Sequence, residues 1–302
     1  MRPRPLSYLW MLIPGLAVYL AFTVYPFLSS LRYSLYNWTG VGALRDFIGL
    51  GNYSFIFNPQ GFLHPLVRAV LHNVYFFGLS FVLSCLLGFL LAYLLYSVNT
   101  RVSAWLQALY FVPYLIPPVV VGYLWSIYLE PGFGAISRAL NALGLSWLNL
   151  PYLGSSRLAL PTVVGISAWA GMGFPVLLFL AAMINIPSEI LDAAKIDGAG
   201  ATTTMTRVIF PMLRSTFVTV VTLTWLSSFL VFDLVYVLEG TQAGPNYATD
   251  VFGTLFYRTA WGGFGATATG MGLAAATAVV AFFFIMIIAA LMVWLQQRLG
   301  RD

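Results

Sequence analysis

Charge is the first thing this chain is short of. Only 8% of its 302 residues are Asp, Glu, Lys or Arg, against roughly 25% in a soluble domain, which excludes a water-soluble globule. Lysine occurs once, at 195, cysteine once, at 85, and histidine twice, at 64 and 72. One cysteine permits no disulfide framework, and two separated histidines with one thiol make no zinc site. A phosphate-binding P-loop needs a lysine after a glycine, whereas the single lysine follows Ala194. Nucleotide hydrolysis and metal chemistry are therefore not expected from this chain, and no catalytic residue is assigned. The net charge of +5 suits arginines flanking a membrane better than it suits nucleic acid.

What fills the space is apolar: 60% of the residues are hydrophobic. The few charges leave long empty intervals. Arg4 to Arg32 encloses 27 uncharged residues, Arg68 to Arg101 32, Arg101 to Glu130 28, Arg157 to Glu189 31, Arg214 to Asp233 18 and Arg258 to Arg298 39. About 20 apolar residues cross a bilayer as a helix, and lipid offers an open backbone no hydrogen-bond partners. The expectation is an all-α polytopic membrane protein, one transmembrane domain over 1–302, with six spans at roughly 9–31, 72–97, 105–129, 160–184, 213–238 and 270–295. Six spans leave both termini on one face, with Arg2, Arg4, Arg101, Lys195, Arg207, Arg214, Arg298 and Arg301. Arg32, Arg45, Arg68, Arg138, Arg157 and Arg258 fall on the other. The small excess marks the first face as cytoplasmic. The start MRPRPLSYLW is like a secretory signal, but its apolar run is long and has no small-x-small exit, so it is read as span 1.

Taken in order, Pro14, Gly15 and Pro26 predict a kinked first span. Arg68 and His72, four apart, share one face of an entry helix and read as a solvated face. Pro113, Pro117 and Pro118 must break span 3, either as a bend beside a pathway or as simple kinked packing. The external loop 130–157 carries an amphipathic run, Ile136 to Leu143, that offers a surface to an extracellular partner. Asp233 is the one carboxylate well inside an apolar stretch, with Phe229, Phe232 and Tyr236 within a turn of it. A charge there costs about 2.5–3.5 kcal/mol unless water or a partner meets it. It is thus a pathway residue or an end residue wetted at the interface. Ala268, Gly272 and Ala276 recur every fourth residue in span 6 and let two helices approach closely.

The polar residues are concentrated between Asn185 and Arg214. Ser188 after Pro187 reads as a helix start able to cap free amides, with Glu189 toward the positive end of the helix dipole. Asp192 and Lys195, three apart, can face each other. Gly198 fits a C-terminal stop, a second short helix is expected over about 201–208, and Pro211 marks entry to the next apolar segment.

This stretch resembles the EAA loop of the membrane subunits of ABC importers: Glu-Ala-Ala, then Gly after three residues, then Ile-x-Leu-Pro after nine more. Asp192, Ala193, Ala194, Gly198, Val208, Phe210 and Pro211 stand at those positions, with Asp for Glu, Val for Ile and Phe for Leu. IPSEIL and AKIDGA are similar to the carbohydrate branch of that family, as are FIGLGNYSFIF from Phe47, WxGxGF from Trp169 to Phe174, and the GP-x-x-x-T run of Gly244, Pro245 and Thr249. The resemblance implies a type I importer permease fold with a cytoplasmic coupling helix in a prokaryotic cell membrane. It implies a second permease subunit, usually a different chain, two cytoplasmic ATPases that bind ATP and Mg, an extracytoplasmic solute-binding protein, and a carbohydrate substrate. The coupling residues it implies are Glu189, Asp192, Ala193, Ala194, Lys195, Asp197, Gly198 and Pro211. The stretch from Trp169 through Gly173 to Phe174 belongs, by the same resemblance, to the solute pathway, although Gly-Trp pairs also pack helices. Phe229, Phe232, Asp233 and Tyr236 join it as pathway candidates. Permeases for glycerol phosphate, a polyol or a polyamine are the nearest alternative, and an ion-coupled secondary transporter is a further one. The absence of Arg and Lys from the spans, apart from Arg214 at the very start of the fifth, favours a neutral solute.

Overall fold

A computed structural model describes residues 6–262 and 269–299. Arg2, Arg4, Ala268 and Arg301 lie outside the described residues. Within them the regular structure is helical, apart from one antiparallel bridge between Tyr36 and Phe47.

Three helices are long and apolar enough to cross a membrane: Trp10–Tyr33, Leu63–Ser97 and Met271–Arg298. Three more candidates are helix pairs bent at a short break: Thr100–Leu115 with Pro118–Tyr128 (96°), Ala159–Gly171 with Gly173–Ile184 (44°), and Ala201–Met212 with Arg214–Leu230 (76°). The first bend is proline-made. Pro113 opens a tight turn over Pro113–Leu115, Ile116 is extended, and Pro118 restarts the helix in its first turn. In the first helix a wider π turn, Leu20–Val24, sits just ahead of Pro26, which has no amide proton to continue the regular ladder. The 214–230 helix stops short of the expected end at 238. Val231 is extended, Phe232 is irregular, and Asp233 opens a new short helix, Asp233–Glu239.

The described residues form two compact units. The first comprises the described parts of Met1–Leu66 and Phe256–Phe283. Asn52 ties the segment after the first long helix together by donating to the carbonyls of Ser34 (2.8 Å) and Tyr36 (3.0 Å). Gly272 lies directly against the Tyr36 carbonyl, and its amide donates to Trp38 O at 2.9 Å. A side chain there would displace backbone, so the small residue serves the approach of a helix to this segment.

The second unit comprises the described parts of Val67–Leu255 and Phe284–Asp302. Its helices meet on two cores. One gathers Cys85, Phe89, Val176, Phe179, Met183, Ile186, Ile209, Leu213 and Val220. The other gathers Phe76, Val121, Val163, Val164, Leu234, Val235, Ala243 and Val251. In a bilayer such side chains are held together by van der Waals packing, since lipid is as apolar as they are. Glycines set the closest approaches. A Cβ on Gly173 would sit 2.6 Å from the Tyr110 carbonyl oxygen, and one on Gly88 3.3 Å from Pro175 Cβ.

Candidate functional site

Two features of the second unit are candidates for function, an exposed polar elbow and a cavity. The elbow is the helix Ser188–Ile196 with the turn that follows. Ser188 is the first helical residue and makes no capping bond, contrary to the expectation from the sequence, because Pro187 holds the N-cap position with extended backbone. The C-terminus is built as the glycine predicts. Gly198 has φ +77°, its amide donates to Lys195 O at 3.0 Å, and the Ala199 amide donates to Ala194 O at 2.9 Å. These two bonds satisfy the last carbonyls in a Schellman turn. Lys195 Nζ donates to Asp192 Oδ1 at 2.9 Å, and this bond raises the Lys195 pKa above its ordinary value. Leu191 and Ala194 turn inward, while Glu189, Asp192, Ala193, Lys195, Ile196, Asp197 and Gly198 stand exposed. Ile196 is 86% exposed, an apolar side chain with nothing on it.

The elbow is mounted on the first core. A helical run, Ala201–Met212, returns from it and buries Ile209. Phe210 meets Phe89 (5.8 Å) and Phe217 (5.4 Å) edge to face, and Pro211 opens the last turn before the 76° bend. Tyr93 donates its hydroxyl to Ala201 O at 3.0 Å.

The cavity, about 500 Å³, is walled by the helix breaks. Pro113, Tyr114, Ile116 and Pro118 come from the proline bend, Gly171, Phe174 and Pro175 from the 44° bend, and Val231, Phe232 and Asp233 from the break after Leu230. Broken helices at membrane depth are tolerated where they line a cavity. Hydroxyls of Ser80, Ser84, Ser167, Thr224 and Ser227 complete the wall. Phe174 stacks on Tyr114 with ring centres 5.7 Å apart and planes at 18°. An aromatic platform with scattered hydroxyls fits a solute with apolar faces and hydroxyl edges.

The pathway candidates divide. Phe174, Phe232 and Asp233 line the cavity. Tyr236 packs behind Phe232 at 5.3 Å. Gly173 is buried against the 100–111 helix. Trp169, 44% exposed, sits edge-on to Trp125 at 5.5 Å, and neither lines the cavity. Phe229 is 2% exposed and packs on Trp225, Phe252 and Phe284. Tyr114, Ser80 and Ser227 line the cavity without having been singled out in the sequence. Only the prolines beside Tyr114 pointed there.

Asp250 carries no signal in the sequence either. It is fully buried and receives Arg68 Nη2 at 3.1 Å, while Thr254 donates to its other oxygen at 3.0 Å. His72 Nδ1 lies 2.9 Å from the Asp250 carbonyl oxygen, and the Arg68 guanidinium covers the Tyr247 ring at 4.5 Å. Arg68 and His72 are thus not a solvated face. They grip the turn that follows the GP-x-x-x-T run, where Thr249 donates to Gly244 O at 3.2 Å.

Glu239 ends the 233–239 helix, and among the described residues its Oε1 is buried without a hydrogen-bond partner. Burial pushes its pKa up from 4.5 to about 8. The folded state therefore holds this proton where an unfolded chain has lost it. Its contribution to stability is full below about pH 4.5 and is lost as pH rises to about 8. Glu239→Gln should remove that decline. A thermal melt of the purified protein between about pH 5 and 9 checks this, and an unchanged slope in the variant would count against it.

A mostly apolar helical chain, with broken helices around a hydroxyl-lined cavity and a polar elbow hung on an adjoining core, has the build of a membrane transport subunit. The chain belongs to the family of binding-protein-dependent transport system inner membrane components, whose pattern residues 84–301 match. It is 28% identical over 276 residues to the diacetylchitobiose uptake system permease protein NgcF of Streptomyces coelicolor, covering 88% of this chain and 77% of that one. It is 30% identical over 256 residues to the sn-glycerol-3-phosphate transport system permease protein UgpA of Yersinia pestis, covering 84% and 83%. Its fold matches, with a TM-score of 0.80, a chain from the crystal structure of a bacterial ABC transporter involved in the import of the acidic polysaccharide alginate. That match is at 22% identity and covers 97% of this chain and 95% of the other.

Proposed function

We propose that this chain is one permease subunit of an ATP-driven importer of sugars or oligosaccharides. It forms half of the translocation pathway, receives solute from an extracytoplasmic binding protein, and is driven through the elbow by a separate ATPase pair. The observation that carries this reading is the shared core. Ile209 and Leu213, which anchor the elbow, lie in one hydrophobic cluster with Val176 and Val220, and Val220 also lines the cavity. Packed cores transmit displacement because they have little free volume. A push on the exposed face of the 188–196 helix therefore moves the cavity wall, which is what rocking between inward- and outward-open states requires. ATP and Mg belong to the partner ATPases. Both termini and the elbow face the cytoplasm, and the second permease is a related but different chain. The permease NgcF, named for a disaccharide, supports carbohydrate as cargo. UgpA supports glycerol phosphate as the second reading.

The test is purification from native membranes followed by reconstitution. Two ATPase subunits, a second permease and a binding protein are expected to co-purify, and vesicles holding the assembly should take up a neutral disaccharide only with ATP. Uptake by this chain alone would overturn the proposal, as would uptake of glycerol phosphate in preference to every sugar tried.

A further inference from the structure

Among the described residues that line the cavity, Asp233 is the only one that carries a charge; the other polar groups are the hydroxyls of Ser80, Ser84, Ser167, Thr224, Ser227 and Tyr114. Asp233 is exposed and stands at the first position of the short 233–239 helix. Two of the hydroxyls direct their protons to their own helix, Thr224 to Val220 O at 2.9 Å and Ser227 to Thr224 O at 3.0 Å. Arg68, a cation of the same unit, is committed to Asp250. A cleft lined by one sign of charge within low-dielectric walls concentrates ions of the opposite sign and repels its own.

We propose that Asp233 is a charge filter, so that the part of the pathway built by this chain admits neutral or cationic polyhydroxy solutes and rejects sugar phosphates and uronates. The inference rests on the cavity being the solute pathway. It separates this chain from a carrier of anions, since an anion at this site would meet a carboxylate and, among the described lining residues, no compensating base.

The test reads the potential of the cavity without knowing the cargo. Ser227→Cys is introduced with Cys85→Ser in the full chain, assembled with its partners in membranes. Two thiosulfonate reagents of similar size, one a trimethylammonium cation and one a sulfonate anion, are timed against the introduced thiol, each scaled to its rate with free mercaptoethanol. The cation should win by on the order of tenfold or more. Asp233→Asn should bring the ratio close to one, and Asp233→Glu should restore it, which guards against a variant that merely folds badly. Equal rates with Asp233 present would sink the filter while leaving a water-filled pathway intact. No reaction with either reagent from either side of the membrane would sink the pathway itself.

Discussion

Gly198→Val should abolish ATP-driven uptake while the chain still inserts and co-purifies with its partner permease. The position has φ +77°. A left-handed backbone costs an ordinary residue about 1–2 kcal/mol, and a β-branched side chain is worse placed still. Nothing lies within 4 Å of where a Cβ would stand, so the penalty is conformational and local. It falls on the turn whose two amides close the carbonyls of Ala194 and Lys195. Relaxing that strain unwinds the end of the 188–196 helix and re-aims Lys195, Ile196 and Asp197. Stability of the whole chain is little affected, because the elbow helix buries Ala194 and half-buries Leu191 while its other side chains stand exposed. Asp192→Lys should act at the same step by a different route. Its exposed pair with Lys195 contributes little to stability, yet reversing the charge changes the face offered to a docking partner. Uptake in reconstituted vesicles, scored beside membrane yield, decides the matter. Full transport by both variants would refute a docking role for the elbow.

The second large effect is expected at Arg68, far from the elbow in sequence. Arg68→Ala takes from the buried Asp250 a cation that pairs with it at 3.1 Å. Breaking a buried pair by removing one partner costs about 3–5 kcal/mol, and the 34% exposure of the Arg68 side chain places the loss toward the lower figure. Arg68→Lys should recover only part, since a point charge cannot both reach Asp250 and cover the Tyr247 ring as the planar guanidinium does. The diagnostic variant is the double one. Arg68→Ala with Asp250→Asn removes both members of the pair and should cost less than the two single losses added together. Thermal melts of the parent, both single variants and the double variant in one detergent measure this. A double variant that melts at the sum of the single losses would show that the two groups do not interact.

The elbow was legible in the sequence because its determinants are short-range. A glycine after a helical run, an i,i+3 pair and a proline at the exit each act within a few residues, and the structure has all three in those places. The proline bend at 113–118 was legible for the same reason. The break after Leu230 was not. Leu230, Val231 and Phe232 are apolar and hold no glycine or proline, so hydropathy runs through them and carries the expected span to 238. What ends the helix there is tertiary: Phe232 turns to the cavity while Leu234 and Val235 drop into the second core. The same limit applies to the aromatics around Asp233. Phe229 and Phe232 are three apart and chemically alike, yet only the irregular backbone at 231–232 decides that one is core and the other cavity wall. Asp250 was invisible because its partner Arg68 is 182 residues away.

In the proposed importer the helix carrying Lys195 is the cytoplasmic docking element. Lys195 is the single lysine of the chain and its side chain is exposed, so a membrane-impermeant amine reagent reports its side directly once the modified peptide is identified by mass spectrometry. Inside-out vesicles should give labelled Lys195, and addition of the co-purified ATPase should protect it. Labelling in sealed right-side-out vesicles, or labelling that the ATPase leaves unchanged, would contradict the account.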